Sequence, residues 1–101
     1  MSNLFDWDDA NVAHIALHGV LPEEAEEVIV NSPLDLGYET RNDEIRLRQV
    51  GETVQGRILA VVSTLRDGRT RVVTAYTASR WLRASYLEFK DLVKDGEENT
   101  S

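Results

Sequence analysis

The sequence predicts an α+β domain: two short N-terminal helices, a four-stranded antiparallel sheet, and a longer C-terminal helix. Three observations carry this expectation. Ile58 to Leu65 is a near-continuous aliphatic run, the pattern of a strand covered on both faces. The segments before and after it are joined by connections short enough to favour antiparallel pairing. Beyond Ser79, whose hydroxyl can cap a helix, Leu82, Tyr86, Phe89 and Val93 recur at helical spacing and mark a stripe for the sheet.

Taken in order, Leu4-Phe5-Asp6-Trp7 reads as a short strand or an ordered lead-in that buries Phe5, with Trp7 a second candidate for burial. Asp8 or Asp9 can cap the first helix, since a carboxylate is favourable at the positive end of the helix dipole. Val12, Ile15 and Ala16 are its expected buried face, and Gly19 ends it. Pro22 suits the first position of a second helix, Glu23 and Glu24 suit its first turn, and Ala25, Val28 and Ile29 form its apolar stripe. Asn31-Ser32-Pro33 stops it. Leu34 to Arg41 and Glu44 to Val50 read as strands around a polar Arg41-Asn42-Asp43 turn, with Ile45, Leu47 and Gln49 opposite Glu44, Arg46 and Arg48. The run beginning at Ile58 and the Val-, Thr- and Tyr-rich stretch Arg71 to Thr77 form a hairpin about Asp67-Gly68. Residues 1–94 form the expected domain. The charged DGEENTS at 95–101 is expected to be a disordered acidic tail.

A chain of 101 residues with 42% hydrophobic and 29% charged residues has room for one modest core. Its apolar runs fall short of the roughly 20 residues that span a bilayer, and the N-terminus lacks the basic-then-apolar pattern of a secretion signal. Without cysteine there is no disulfide and no thiolate nucleophile. A cytoplasmic location fits. The net charge of -7 opposes polyanion binding in total but not in distribution. Residues 1–40 hold nine Asp/Glu and no Lys or Arg, whereas residues 41–83 hold nine Arg against four acids. Arginine is the cation suited to bidentate phosphate contacts.

His14 and His18 lie four apart on one expected helix, half of a metal site without a third ligand placed by spacing, so no metal and no cofactor is assigned. The glutamates of PEEAEE read as a solvated helix face. There is neither a phosphate-cradling glycine-rich loop nor a Gly-x-Ser-x-Gly elbow. The arginines are the sharper signal. Arg57 and Arg71 open strands, and Arg80 and Arg83 open the last helix. A metal-independent ribonuclease needs cations where charge builds on the phosphate, with a base for the 2′-hydroxyl and an acid for the departing 5′-oxygen. Glu44, His18, Tyr76 or Tyr86 beside those arginines can supply proton transfer, and Tyr76 and Trp81 can stack on an unpaired base. Equally, Arg57 and Arg71 can pair with neighbouring acids while Trp81 fills a gap beneath the helix.

The ordered set FDWDDANVAHIALHGV, PEEAEEV, NSPL, GRILAVVSTLRDG and TRVVTAYTASRWLRASY, over residues 5 to 90, resembles the BrnT family of bacterial toxins. The resemblance implies a RelE-like ribonuclease fold, RNA cleavage that blocks translation, and a ribbon-helix-helix antitoxin, in a homodimer or a toxin–antitoxin hetero-oligomer with no membrane partner. Carried over by position, Trp7, His18, Gly19, Arg57, Arg71, Arg80, Arg83 and Tyr86 match, and Glu44 and Arg46 fit the family's Glu-x-Arg. Arg57, Arg80, Arg83, Glu44 and His18 are thus the expected catalytic set, and Arg46, Arg71, Tyr76, Trp81 and Tyr86 the expected RNA contacts. Leu17, His14, Tyr76-Thr77 and Leu82 depart from the family pattern. An alternative expectation is therefore a catalytically degenerate relative that acts as a partner-binding module.

Overall fold

The computed structural model of the chain describes residues 4–99. Its elements are α1 (Asp9–Ala16), α2 (Pro22–Val30), β1 (Leu34–Arg41), β2 (Glu44–Glu52), β3 (Ile58–Arg66), β4 (Arg69–Thr77) and α3 (Arg80–Asn99). The sheet order is β1-β2-β3-β4 with every neighbouring pair antiparallel. Two tight turns set this register. Asn42 and Asp43 have φ of 52° and 65°, and Asp67 and Gly68 have φ of 53° and 77°. A consecutive positive-φ pair is the type I′ geometry whose twist matches antiparallel strands, and Asn, Asp and Gly adopt it at least cost.

β3 is covered twice. Every residue from Ile58 to Thr64 is buried. Leu59 and Val61 meet Ile15, Val20, Ala25 and Val28 from the α1–α2 segment, together with Val72 and Ala75 of β4. Ile58 and Ala60 point the other way, to Val50, Leu82 and Tyr86. The helices therefore lie on opposite faces, α1 and α2 on one and α3 on the other, so the α+β class takes a layered form. α2 sits close: a Cβ at Gly51 would come within 3.0 Å of Val28 Cγ1 and 3.1 Å of Pro33 Cβ.

Local chemistry fixes each helix. Asp8 accepts from the Asn11 N–H at 2.9 Å while the Asn11 side chain accepts from the Asp8 N–H at 2.8 Å, a reciprocal cap on α1. The Asn11 amide also donates to the Val72 carbonyl at 3.1 Å. That bond turns Asn11 inward, so the buried face of α1 is Asn11 and Ile15, while Val12 is half-buried and Ala16 exposed, contrary to the apolar pattern. Gly19 (φ 73°) reverses the chain and lets the Val20 N–H reach the Ile15 carbonyl at 3.1 Å. The lead-in pairs with the β4 edge: Thr70 donates to the Leu4 carbonyl and Asp6 donates to the Thr70 carbonyl, both at 2.8 Å.

In α3 the Ser79 hydroxyl accepts from the Leu82 N–H at 3.2 Å. Leu82 and Tyr86 are buried and Phe89 packs beside them, but Val93 stays 45% exposed, so the expected stripe ends one turn early. α3 is helical to Asn99, past Lys94, and residues 100–101 of the expected tail lie outside the described residues. Among the described residues no helix is long and apolar enough to cross a membrane.

Leu59 is fully buried against both helices of its face. Leu59→Ala should lower unfolding free energy by about 2–5 kcal/mol in urea titrations. Val54→Ala, at a side chain 79% exposed, should change it by less than about 0.5 kcal/mol.

Candidate active site

The turn before β3 holds its own backbone rigid. Thr53 donates from its N–H to the Arg57 carbonyl at 2.8 Å and accepts from the Arg57 N–H through its hydroxyl at 3.0 Å. Arg57 is thereby anchored where β3 begins, and its guanidinium gathers three segments. Nη1 donates to Glu24 Oε2 at 2.7 Å, to Glu24 Oε1 at 2.9 Å and to the Gly19 carbonyl at 3.1 Å. Nη2 reaches the Thr77 hydroxyl at 3.5 Å. Glu24 is itself pinned, since it accepts the Leu21 N–H at 3.0 Å. Burial pushes the Glu24 carboxyl up, but the Leu21 N–H and the Arg57 guanidinium outweigh it and hold Glu24 below its ordinary value.

His18 directly precedes Gly19, the residue whose carbonyl Arg57 reaches. It meets Tyr76 edge-on at 6.3 Å between centroids and His14 at 5.5 Å, and His14 Nε2 lies 3.2 Å from the Thr74 hydroxyl. The two histidines line the outer edge of β4. Among the described residues no group of three or more His, Cys, Asp or Glu is arranged to hold a metal ion.

α3 starts at the same corner because the Ala78 N–H bonds the Ile58 carbonyl at 3.0 Å, next to Arg57. Arg80 and Arg83 are exposed in its first turns, and among the described residues neither pairs with a carboxylate. Trp81 is 73% exposed between them and does not fill a gap beneath the helix. His18, Arg57, Tyr76, Arg80, Trp81 and Arg83 thus belong to one end of the sheet.

Four other expected residues are elsewhere. Glu44 and Arg46 form an ion pair at 2.8 Å at the opposite end of β2. Glu52, which faces Ile58, is eight positions away along that strand, about 26 Å at roughly 3.3 Å per residue. Glu44 and Arg57 are therefore not brought together. Arg71 is held by Asp8 at 2.8 Å and Asp6 at 3.6 Å, fastening the lead-in to β4. Asp8 lies below its ordinary value because of the Asn11 N–H and this same arginine. Tyr86 is 3% exposed in the core under α3. Burial and the neighbouring Glu52 raise its hydroxyl pKa, and Glu52 also holds Lys90 at 2.6 Å.

Glu24 and Thr77 are the site residues that sequence reasoning missed. Glu24 was hidden in a run of glutamates, although a glutamate three residues after the N-cap Leu21 is placed to accept that residue's N–H.

A family model described as "Ribonuclease toxin, BrnT, of type II toxin-antitoxin system" matches residues 7–81. The chain belongs to the BrnT toxin family. The matched span runs from Trp7 into the first turn of α3 and includes His18, Glu24, Arg57 and Arg80. No curated protein matches the chain. BrnT toxins are ribonucleases of type II toxin–antitoxin systems, so an antitoxin is the partner that membership implies.

Folding lowers the Glu24 pKa, so its contribution is present above the ordinary glutamate value and is lost as pH falls through the depressed one. Thermal melts of wild type and Glu24→Gln should differ most near neutral pH and converge well below about pH 4. A pH-independent gap would show that the Glu24 charge contributes nothing to folding.

Proposed function

We propose that this chain is a toxin ribonuclease that cleaves RNA by metal-independent transesterification and thereby blocks translation in the cytoplasm. The observation that carries the reading is Arg57 clamped onto Glu24 and the Gly19 carbonyl, at the end of the sheet where Arg80 and Arg83 open α3. In the reaction the 2′-oxygen attacks the adjacent phosphorus and the 5′-oxygen departs, leaving a 2′,3′-cyclic phosphate and a 5′-hydroxyl. Negative charge grows on the non-bridging oxygens, where a fixed guanidinium is most effective because it needs no reorganisation.

Arg57 meets that requirement. Its Nη1 is committed to Glu24 and Gly19, and the Nη2 side, whose contact to Thr77 is long, is presented to the phosphate. Arg80 and Arg83 add cations that pair with no carboxylate among the described residues, and Trp81 offers a face for an unpaired base. His18 is the proton-transfer group of this corner, since an imidazole ring can both accept and donate a hydrogen bond. Glu44 is left out of this centre because it stands at the far end of β2. By family resemblance the antitoxin is of the ribbon-helix-helix class.

A second reading is favoured by one observation. Glu24 already neutralises Arg57, both of its oxygens accepting from Nη1, as expected of a structural strut in a partner-binding protein without catalysis. Incubation of a mixed-sequence RNA with folded protein in EDTA separates the two. Wild type should cleave, and Arg57→Ala, with its fold checked by circular dichroism, should be slower by about 10²–10³-fold. An inert, folded wild type would support the partner-binding reading. Equal cleavage by both proteins would remove Arg57 from the mechanism.

A further inference from the structure

α1 and α2 cover only part of their face of the sheet. Toward the two hairpin turns that face is bare and forms a groove of about 730 Å3. Its floor and walls are Ile29, Tyr38, Ile45, Leu47 and Leu65, and Asp43 and Glu44 stand on its lip. Tyr38 pairs with Leu47 across β1 and β2, and Leu47 pairs with Ser63, one alternation beyond Val61 of the α1–α2 core. The groove is thus the uncovered continuation of that core, and Ile29 of α2 belongs to both. Tyr38 is 73% exposed, Ile45 63% and Leu65 76%. Clustered apolar side chains this open mark a surface that another molecule covers.

Charge selects among the occupants. Residues 1–40, which supply α1, α2 and most of β1, hold nine acids and no lysine or arginine; Asp6, Asp8 and Glu24 pair with arginines from later in the chain, and the remaining six keep this layer negative. Among the described residues no lysine or arginine lines the groove. The arginines of β2 alternate to the opposite face, where Arg46 and Arg48 share the side of Val50 and α3. RNA is repelled from an acidic border, and a second copy would set one acidic layer against another. A cationic polypeptide is drawn to it.

We propose that this groove is the docking site of the antitoxin, which fills it with an amphipathic helix bearing an apolar stripe flanked by lysine or arginine. Such a helix is about 10 Å across, the thickness of the layer that α1 and α2 begin, and it completes that layer over the sheet. The inference rests on the toxin–antitoxin reading for the existence of a partner but not on the cleavage chemistry.

The test is calorimetric titration of the full chain with the antitoxin encoded with it, comparing wild type, Ile45→Arg and Leu65→Arg. Both substituted positions are exposed, so thermal melts should match wild type. Each variant should bind at least about 100-fold more weakly, and Asp43→Lys should weaken binding mainly at low salt. RNA cleavage by Ile45→Arg should persist and escape neutralisation by the antitoxin. Wild-type affinity in both arginine variants would overturn the surface and leave the toxin reading standing. Absence of antitoxin binding to wild type would overturn both. If sedimentation shows a wild-type dimer that Ile45→Arg dissociates, the occupant is a second copy and the proposal fails. It fails equally if Ile45→Arg loses RNA binding while keeping the antitoxin.

Discussion

A strand with apolar side chains on both faces has to be roofed twice, and β3 imposes that condition on the whole chain. Leu59 and Val61 draw α1 and α2 to one side, and Ile58 and Ala60 draw α3 to the other. Since the helices that flank the strands in sequence end up on opposite faces, the chain must pass from one face to the other around the end of the sheet. The Gly19 reversal, the Thr53–Arg57 turn and the Thr77–Ser79 link all meet at that end. Loops so crowded bring polar groups from distant parts of the chain to one corner, and the arginine, histidine and hydroxyl groups of the candidate site are found there. The chemistry follows from the packing.

The same condition leaves the other end of the sheet thinly covered. Two short helices, Asp9–Ala16 and Pro22–Val30, cannot span the full length of strands that run eight and nine residues. The surplus sheet carries arginines on one face and apolar side chains bordered by acids on the other. The chain thereby keeps its cationic and its apolar surfaces on separate faces, even though its net charge is -7.

Much of this was legible in the residues. Asn42-Asp43 and Asp67-Gly68 announced hairpins because few other residue pairs accept two consecutive left-handed positions. The aliphatic run at Ile58 announced a doubly covered strand. The arginines at Arg57, Arg80 and Arg83 stood at element boundaries, which is where a sheet-end site draws its groups. Three things were not legible, each for a tertiary reason. Which glutamate of PEEAEE turns inward depends on where α2 docks, so Glu24 could not be told from Glu23. How much of β2 separates Glu44 from Arg57 depends on register, which pattern alone leaves open. Asn11 looks like a surface residue until the carbonyl of Val72 is set above it.

The clamp between Arg57 and Glu24 ties together two positions that would otherwise vary separately. A chain that discards Arg57 keeps a half-buried carboxylate with only the Leu21 N–H to answer it, and one that discards Glu24 leaves a cation facing a carbonyl and a distant hydroxyl. Either lesion alone unsettles the corner where the two helical layers join. Removing the Arg57 guanidinium without unsettling this corner therefore requires two coordinated changes, one in α2 and one ahead of β3. Chains that lose one member of the pair are expected to alter positions 24 and 57 together.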